Sequence, residues 1–454
     1  MMEMLTNLVT QSGVGATQLS AILLGVLFLI MIIGLAAGQE LAFVLGGAGV
    51  VIGYLAWGGP GITIAMTKVY DQMQSYSMVA IPMFVLMANF LTHSKVADGL
   101  FRSLLGPLRG GLGLAVIVVS TVFAATTGIV GASVVTMGML SVPVLLKCGY
   151  KPSLACGMVC AGGSLGILIP PSIMLVSMGS YANVSVGKIF FAAIVPGLVL
   201  SLFYMIYVFV ICHIHPDYGP AMSAEELAAM PLGERITGSL VNLIPPVILI
   251  VGVLGSIFTG WATPTEAAGV GALFSLILAI FYKQFSFKML YDSLIDTAKT
   301  SAMVFIILFG ASAFTGIFMS LDGDQLIATW ISSVGIGKWG AFAIMMAIVF
   351  VMGMFLDWLG IVMIVFPIFL PIMDMFGFDR LWIVAVTAVM LQTCFMTPPF
   401  GFALFYIKGI VPPEVKIQEI YRGVIPFILI IIAVVVLVTI FPQVVYFLPN
   451  LVAS

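Results

Sequence analysis

The sequence predicts an all-α polytopic membrane protein built as an inverted repeat of two five-span halves. Three observations predict it. The 454 residues are 62% hydrophobic and only 7% charged, whereas soluble domains carry about 25% charged residues, so the chain belongs in a bilayer. A pattern of glycine and proline occurs twice: Gly128 to Ser133, Pro143, Gly149-Tyr150 and Pro170-Pro171 are answered by Asp357 to Gly360, Pro371, Gly377-Phe378 and Pro398-Pro399. The offset is 228 residues each time (371 − 143, 377 − 149, 398 − 170). Lastly, each half reads as an odd number of crossings, and an odd count turns the second copy upside down relative to the first.

The spans expected in the first half lie at 18–35, 41–57, 78–92, 153–182 and 188–212. In the second they lie at 242–258, 266–282, 301–319, 381–410 and 424–446. The first half is then 1–212, a linker covers 213–240, and the second half is 241–454. The repeat extends outward: Glu40 heads an apolar segment as Glu266 does, and Pro196 answers Pro426. Between the third and fourth spans of each half lie two apolar pieces, 112–127 with 131–146 and 340–356 with 360–375. At about sixteen residues each is roughly 24 Å long as a helix, short for a hydrocarbon core about 30 Å thick. Each pair therefore reads as one re-entrant hairpin, 112–146 and 340–375, whose tip stops inside the membrane.

Lys and Arg set the orientation. Twelve (Lys95, Arg102, Arg109, Lys147, Lys151, Arg235, Lys283, Lys288, Lys299, Lys408, Lys416, Arg422) fall in one set of loops and four (Lys68, Lys188, Lys338, Arg380) in the other. The richer set faces the cytoplasm, and both termini then face outward. Ser223-Ala224-Glu225-Glu226 reads as the start of a short surface helix in the linker, and 95–110 and 283–299 as amphipathic struts along the membrane surface. The first apolar segment begins near Gln18 without a basic leader or cleavage site, so no cleavable signal peptide is expected. The net charge of −2 and the lack of a basic patch give no sign of nucleic-acid binding.

The segments 153–182 and 381–410 each contain a break. Gly162-Gly163-Ser164-Leu165-Gly166 precedes Ile169-Pro170-Pro171-Ser172, and Gln392-Thr393-Cys394 precedes Met396-Thr397-Pro398-Pro399. A broken helix leaves carbonyl and amide groups unpaired, at several kcal/mol each in hydrocarbon, unless the break lines a cavity or binds an ion. Free carbonyls suit a hard cation such as Na⁺ and free amides an anion; the bland alternative is a proline kink used for packing. Asp357, at the second hairpin tip, reads as a sodium or substrate contact, a cap for 360–375, or a proton carrier. Glu266 after Thr263-Pro264-Thr265 reads as a helix cap, and Glu40 takes the same reading. Cys156 and Cys160, one turn apart, read as packing residues, and His93, His213 and His215 as interface markers. No paired intramembrane carboxylates, His-Glu metal motif or nucleotide loop is present, so no enzyme is expected.

Five stretches carry a resemblance: Thr126 to Ser133, Leu165 to Ser172, Ala262 to Ala268, Leu356-Asp357-Trp358, and Thr397 to Phe402. At these residues the sequence resembles the large membrane subunit of the tripartite ATP-independent periplasmic (TRAP) transporters, DctM-like. The resemblance implies a sodium-coupled importer of small organic anions in the bacterial inner membrane. It implies two partners, a periplasmic substrate-binding protein and a small four-helix membrane subunit, and an elevator motion of the kind found across the ion-transporter superfamily. It places a first sodium at Gly128, Ala132, Ser133, Gly163 and Gly166, and a second at Asp357, Gly360, Met396 and Thr397. Substrate is expected at Ser133, Ser172, Asp357 and Thr397. The rival readings are a stand-alone anion:sodium symporter of related fold and a channel. No Lys or Arg lies in the core of a span to meet a substrate carboxylate, which leaves half-helix amides or a basic group from a loop or partner.

Overall fold

The computed structural model describes residues 16–93, 108–127, 130–221, 232–333, 336–399 and 401–453. Among these, every regular element is a helix. In the first half they are α1 (Ala16–Ala36), α2 (Leu41–Trp57), α3 (Gly59–Met73), α4 (Ala80–His93), the hairpin arms α5 (Gly111–Thr127) and α6 (Val130–Lys147), the two parts of the broken helix α7 (Pro152–Ser164) and α8 (Ile173–Ala182), and α9 (Val186–Ile214). The second half runs through α10 (Leu232–Phe258), α11 (Pro264–Phe281), α12 (Phe287–Ser320), α13 (Gly323–Ser333), the arms α14 (Lys338–Gly353) and α15 (Trp358–Met375), the broken helix α16 (Arg380–Met390) and α17 (Phe402–Ile410), then α18 (Ile417–Ile440) and α19 (Gln443–Ala453).

Both hairpins close at their open ends by the same device. Gly149 and Gly377 take positive φ (81° and 70°), which glycine tolerates without a Cβ penalty. Each ends its helix with a pair of bonds: Gly149 N–H to Leu146 O and Tyr150 N–H to Leu145 O, then Gly377 N–H to Asp374 O and Phe378 N–H to Met373 O. This is the Schellman arrangement. The aromatic residue that follows then grips the start of the opposite arm. The Tyr150 hydroxyl accepts from Gly113 N–H at 3.4 Å, and the Phe378 ring packs on Trp339 and Phe342 while Lys338 donates to Gly377 O.

The chain divides into two compact units, and each draws on both halves of the sequence. The first comprises Met1–Tyr76, Lys299–Ile348 and Leu359–Arg380; the second comprises Ser77–Ala298, Val349–Trp358 and Leu381–Ser454. In the first, α2 lies directly on α12, where a Cβ at Gly310 would stand 2.3 Å from Ala42 O and one at Gly49 would stand 3.0 Å from the Ala313 backbone. Phe28 of α1 meets Phe314 and Phe318 edge-on. In the second unit α4 packs on α11 and α7 on α18, with glycines at the crossings because small residues let backbones approach.

Several boundaries differ from the sequence expectation. The strut at 283–299 and the span at 301–319 are one helix, α12, 34 residues long. Its counterpart in the first half is interrupted between α3 and α4 because Pro82 cannot follow an intact turn: its ring would meet the carbonyl of Met78. The last span stops at Ile440 rather than 446, since Pro442 ends α18 and starts α19. Helices α3 and α13 were not expected; both are amphipathic pieces. The second half begins its first span ten residues early, at Leu232. Glu40 does not repeat the role of Glu266. Thr263 and Glu266 form a full capping box, with Thr263 N–H donating to Glu266 Oε2 at 2.7 Å, but Glu40 is itself the N-cap of α2 and makes no side-chain cap bond, because no hydroxyl stands three residues before it. The linker helix at Ser223, most of the 95–110 strut and Gly128 lie outside the described residues.

Candidate ion and substrate site

Both breaks are real; the first is buried throughout, and the second is buried from Leu391 to Thr397 and opens at Pro398 and Pro399. In the first, Gly162 and Gly163 bring α7 against the first hairpin: a Cβ on Gly163 would stand 3.1 Å from Val134 N, and one on Gly162 would stand 2.5 Å from Ser120 Cβ. The helix ends at Ser164, makes one 3-10 turn at Leu165–Ile167, and resumes at Ile173. Pro170 and Pro171 have no N–H to continue it. Ser172 then closes the gap. Its hydroxyl donates to Ile167 O and accepts from Leu175 N–H, at 3.3 Å, so one side chain satisfies an orphan carbonyl on one half-helix and an orphan amide on the other.

The second break tightens into a longer 3-10 stretch, Leu391–Phe395. Thr393 O gathers three donors: Met396 N–H at 3.0 Å, Thr397 N–H at 2.9 Å and Thr397 Oγ1 at 2.7 Å. The N-cap of α17 is Gly401, which has no side chain to offer and lies against Phe395 O, where a Cβ would stand 2.8 Å away. The tip of the second hairpin rests on this stretch. A Cβ on Gly353 would meet Cys394 Cβ at 2.9 Å, and the Cys394 thiol lies at the Trp358 backbone and within electrostatic reach of Asp357.

These pieces meet inside the second compact unit. α17 packs on the arm α6, with the Tyr406 ring 3.0 Å from where a Gly131 Cβ would stand, and the Cys160 thiol donates to Ala403 O at 3.6 Å, tying α7 to α17. Among the residues expected for the first ion, Ser133 is buried in the first turn of α6 and is brought beside Gly163 by its neighbour Val134; Gly166 follows in the 3-10 turn, and Ala132 lies in the same turn of α6. For the second, Asp357 is half-buried immediately before α15 and shares the Cys394 neighbourhood with Met396 and Thr397. Gly360 belongs to the first compact unit. The hydroxyls of Ser172 and Thr397 are both engaged by local backbone.

The sequence reading passed over Ser120 and named Gln392 only as part of the second break. Thr92, Thr121, Ser141, Ser275, Ser312 and Thr387 each donate to the carbonyl four residues back, the usual refuge of a hydroxyl in an apolar helix. Ser120 does not: its fully buried hydroxyl turns toward Gly162 and has no partner among the described residues. Gln392, also fully buried, donates from Nε2 to Ala388 O at 3.2 Å and leaves Oε1 unmatched. Their letters stood out as polar residues in apolar segments, but partner status is a three-dimensional property.

On the cytoplasmic side of the expected topology, residues 215–220 fold back over the first hairpin. Gly110 N–H donates to Gly219 O at 2.9 Å and Lys151 N–H to Tyr218 O at 3.1 Å, while Lys151 Nζ lies 2.6 Å from Asp217 Oδ2. The hydrogen bond between these side chains raises the Lys151 ammonium above its ordinary pKa and lowers the Asp217 carboxyl.

Comparison with known proteins agrees with this architecture. The family model described as the tripartite ATP-independent periplasmic transporter, DctM component, matches residues 24–444. The C4-dicarboxylate TRAP transporter large permease protein DctM of Pseudomonas aeruginosa is 30% identical over 390 residues, 84% of this chain and 88% of that protein. The ectoine/5-hydroxyectoine TRAP transporter large permease protein UehC of Ruegeria pomeroyi is 29% identical over 442 residues, 94% of this chain and 99% of that protein. Among solved structures, the Alcanivorax borkumensis YdaH transporter superposes with a TM-score of 0.63 at 15% identity, covering 89% of this chain and 97% of that one, a likeness of fold. With two buried broken helices, two hairpins and a family match over nearly its whole length, the chain belongs to the DctM family, the large permease subunits of TRAP transporters.

Proposed function

We propose that this permease subunit imports small organic anions into the cell by sodium-coupled secondary transport, with the cargo delivered by a periplasmic substrate-binding protein and a small four-helix membrane subunit completing the permease. The single observation that carries the reading is the pair of unwound helix breaks, largely buried, 228 residues apart and each beside a hairpin. Such breaks are tolerated at membrane depth where they line a cavity or bind an ion. Carbonyl ends face a cation favourably, and the Asp357 tip adds a formal negative charge. Within the second compact unit, this reading assigns the first sodium to Ala132, Ser133, Gly163 and Gly166 and the second to Asp357, Met396 and Thr397, with cargo at Ser133, Ser172, Asp357 and Thr397.

The relative named for C4-dicarboxylates supports a carboxylate cargo, and in this reading the choice among cargoes belongs largely to the binding protein. The elevator motion and the inner-membrane location are what the family resemblance implies, and the outward-facing termini follow from the distribution of Lys and Arg. The test is uptake into proteoliposomes under an inward sodium gradient, with and without the small subunit and binding protein. Uptake that needs all parts and external sodium supports the reading. Equal uptake by this chain alone means a self-sufficient symporter, and unitary currents without sodium stoichiometry mean a channel.

A further inference from the structure

We propose that the side-chain oxygen of Gln392 holds a coupling cation on the unwound stretch of the second broken helix, at a position separate from the one beside Asp357. The inference rests on sodium coupling as read above and adds an ion position to it. Gln392 is fully buried, sits in the 3-10 stretch Leu391–Phe395, and presents Oε1 with no hydrogen-bond donor among the described residues. The orientation of the amide is fixed, because Ala388 O can accept only from its nitrogen, at 3.2 Å. A lone amide oxygen at this depth is costly, and an apolar side chain of similar size would remove the cost; its presence points to a ligand that supplies positive charge.

The neighbourhood selects the kind of ligand. The other side-chain donors of this stretch are already spent, Thr393 Oγ1 on Met390 O and Thr397 Oγ1 on Thr393 O. What the end of α16 adds is carbonyl oxygen, which repels an anionic cargo and suits a hard cation. In a 3-10 turn, residues two apart project about 120° from one another. Cys394 faces the hairpin tip that bears Asp357, so Gln392 looks elsewhere. The first break offers a contrast: Ser164, the counterpart of Gln392 at 392 − 228, spends its hydroxyl on Ala161 O at 2.9 Å.

The test is a sodium titration of uptake, potassium replacing sodium, in proteoliposomes holding the complete transporter with wild-type, Gln392→Leu or Gln392→Glu permease. The leucine variant is expected to raise half-saturating sodium about tenfold, the worth of one contact to a charged group. It should also lower the Hill coefficient for sodium by about one, leaving the cargo KM at saturating sodium within about twofold. The glutamate variant, which keeps the oxygens, is expected to retain the wild-type Hill coefficient. If the leucine variant fails to fold, Gln392→Met takes its place, and folding is followed by the melting temperature of the purified complex. An unchanged sodium curve in the apolar variant overturns the assignment, as does a raised cargo KM with sodium dependence intact, which would give the oxygen to the cargo. Wild-type uptake indifferent to sodium overturns the proposed function and this assignment together, so the two failures are distinguishable.

Discussion

Replacing Gly423 with alanine tests whether the first broken helix is held in place by a backbone-to-backbone crossing. A Cβ at Gly423 would stand 2.0 Å from Ser153 O and 2.7 Å from Ser153 C, and in the other direction a Cβ at Gly157 would stand 2.3 Å from Gly423 O. Relief to an ordinary contact of about 3.4 Å requires α7 and α18 to part by more than an ångström at this point. Neither partner is a flexible side chain that can swing aside. Overpacking of this kind costs about 1–3 kcal/mol, here toward the upper end, while alanine in place of glycine returns about 1 kcal/mol of helix propensity. The expected net is a destabilisation of about 2 kcal/mol, read as a lower melting temperature of the purified permease. Gly47→Ala and Gly269→Ala are the controls: nothing lies within 4 Å of a Cβ at either, so each should be neutral or slightly stabilising. Because α7 leads directly into the first break, Gly423→Ala should also reduce uptake at temperatures where the variant stays folded. A Gly423→Ala protein as stable as the two controls would refute the crossing.

Three further outcomes follow. Ser172→Ala removes the hydroxyl that bridges Ile167 O and Leu175 N–H and should cost about 1–2 kcal/mol in unfolding measurements, as for a lost N-cap; the Ser172→Thr variant should recover most of it. Asp357→Ala should raise the sodium concentration that half-saturates uptake by at least about tenfold, and a variant with wild-type sodium dependence would remove Asp357 from the ion site. The Lys151–Asp217 pair carries a pH signature with two limbs, since its acid has a lowered pKa and its base a raised one. Its contribution is full between the ordinary carboxylate and ammonium ranges, about pH 5 to 9. It is lost as pH falls through the lowered Asp217 value and as pH rises through the raised Lys151 value. The melting-temperature gap between wild type and Asp217→Asn should therefore be flat across that plateau and shrink below about pH 4; a gap that grows on acidification would contradict the pairing.

What the sequence disclosed, it disclosed through glycine and proline. Gly149 and Gly377 mark positive-φ helix ends, and Pro170-Pro171 and Pro398-Pro399 mark lost N–H donors, so hairpin ends and broken helices were legible as punctuation. The charges at Lys288, Asp292, Asp296 and Lys299 misled, because polar residues were taken to end a membrane span; α12 carries them as its first turns and continues without interruption. Compact units that mix the two halves were out of reach, since membership depends on contacts such as Gly310 on Ala42 between residues far apart in sequence. For the same reason Ser120 and Gln392 read as ordinary polar letters until their partners could be sought.

The repeat sorts its own residues. Where counterparts keep one job, as Tyr150 and Phe378 do in gripping the opposite arm of each hairpin, the job is structural, because both halves need the same closure. Where counterparts diverge, the demand itself differs. The first break is sealed by Ser172 and by Ser164 bonding to Ala161 O, while the second has a bare Gly401 cap and an unmatched oxygen on Gln392. A device built of two inverted copies starts with equal breaks, but an anion and its coupling cations make unequal demands on them. The two breaks then divide their polar groups differently: Ser164 and Ser172 close the first upon itself, with Ser120 left unmatched beside Gly162, while Gln392 Oε1 stays open in the second. On this argument substitutions at Gln392, Asp357 and Thr397 should move sodium dependence, while those at Ser164 and Ser172, whose hydroxyls are spent on local backbone, should move stability first.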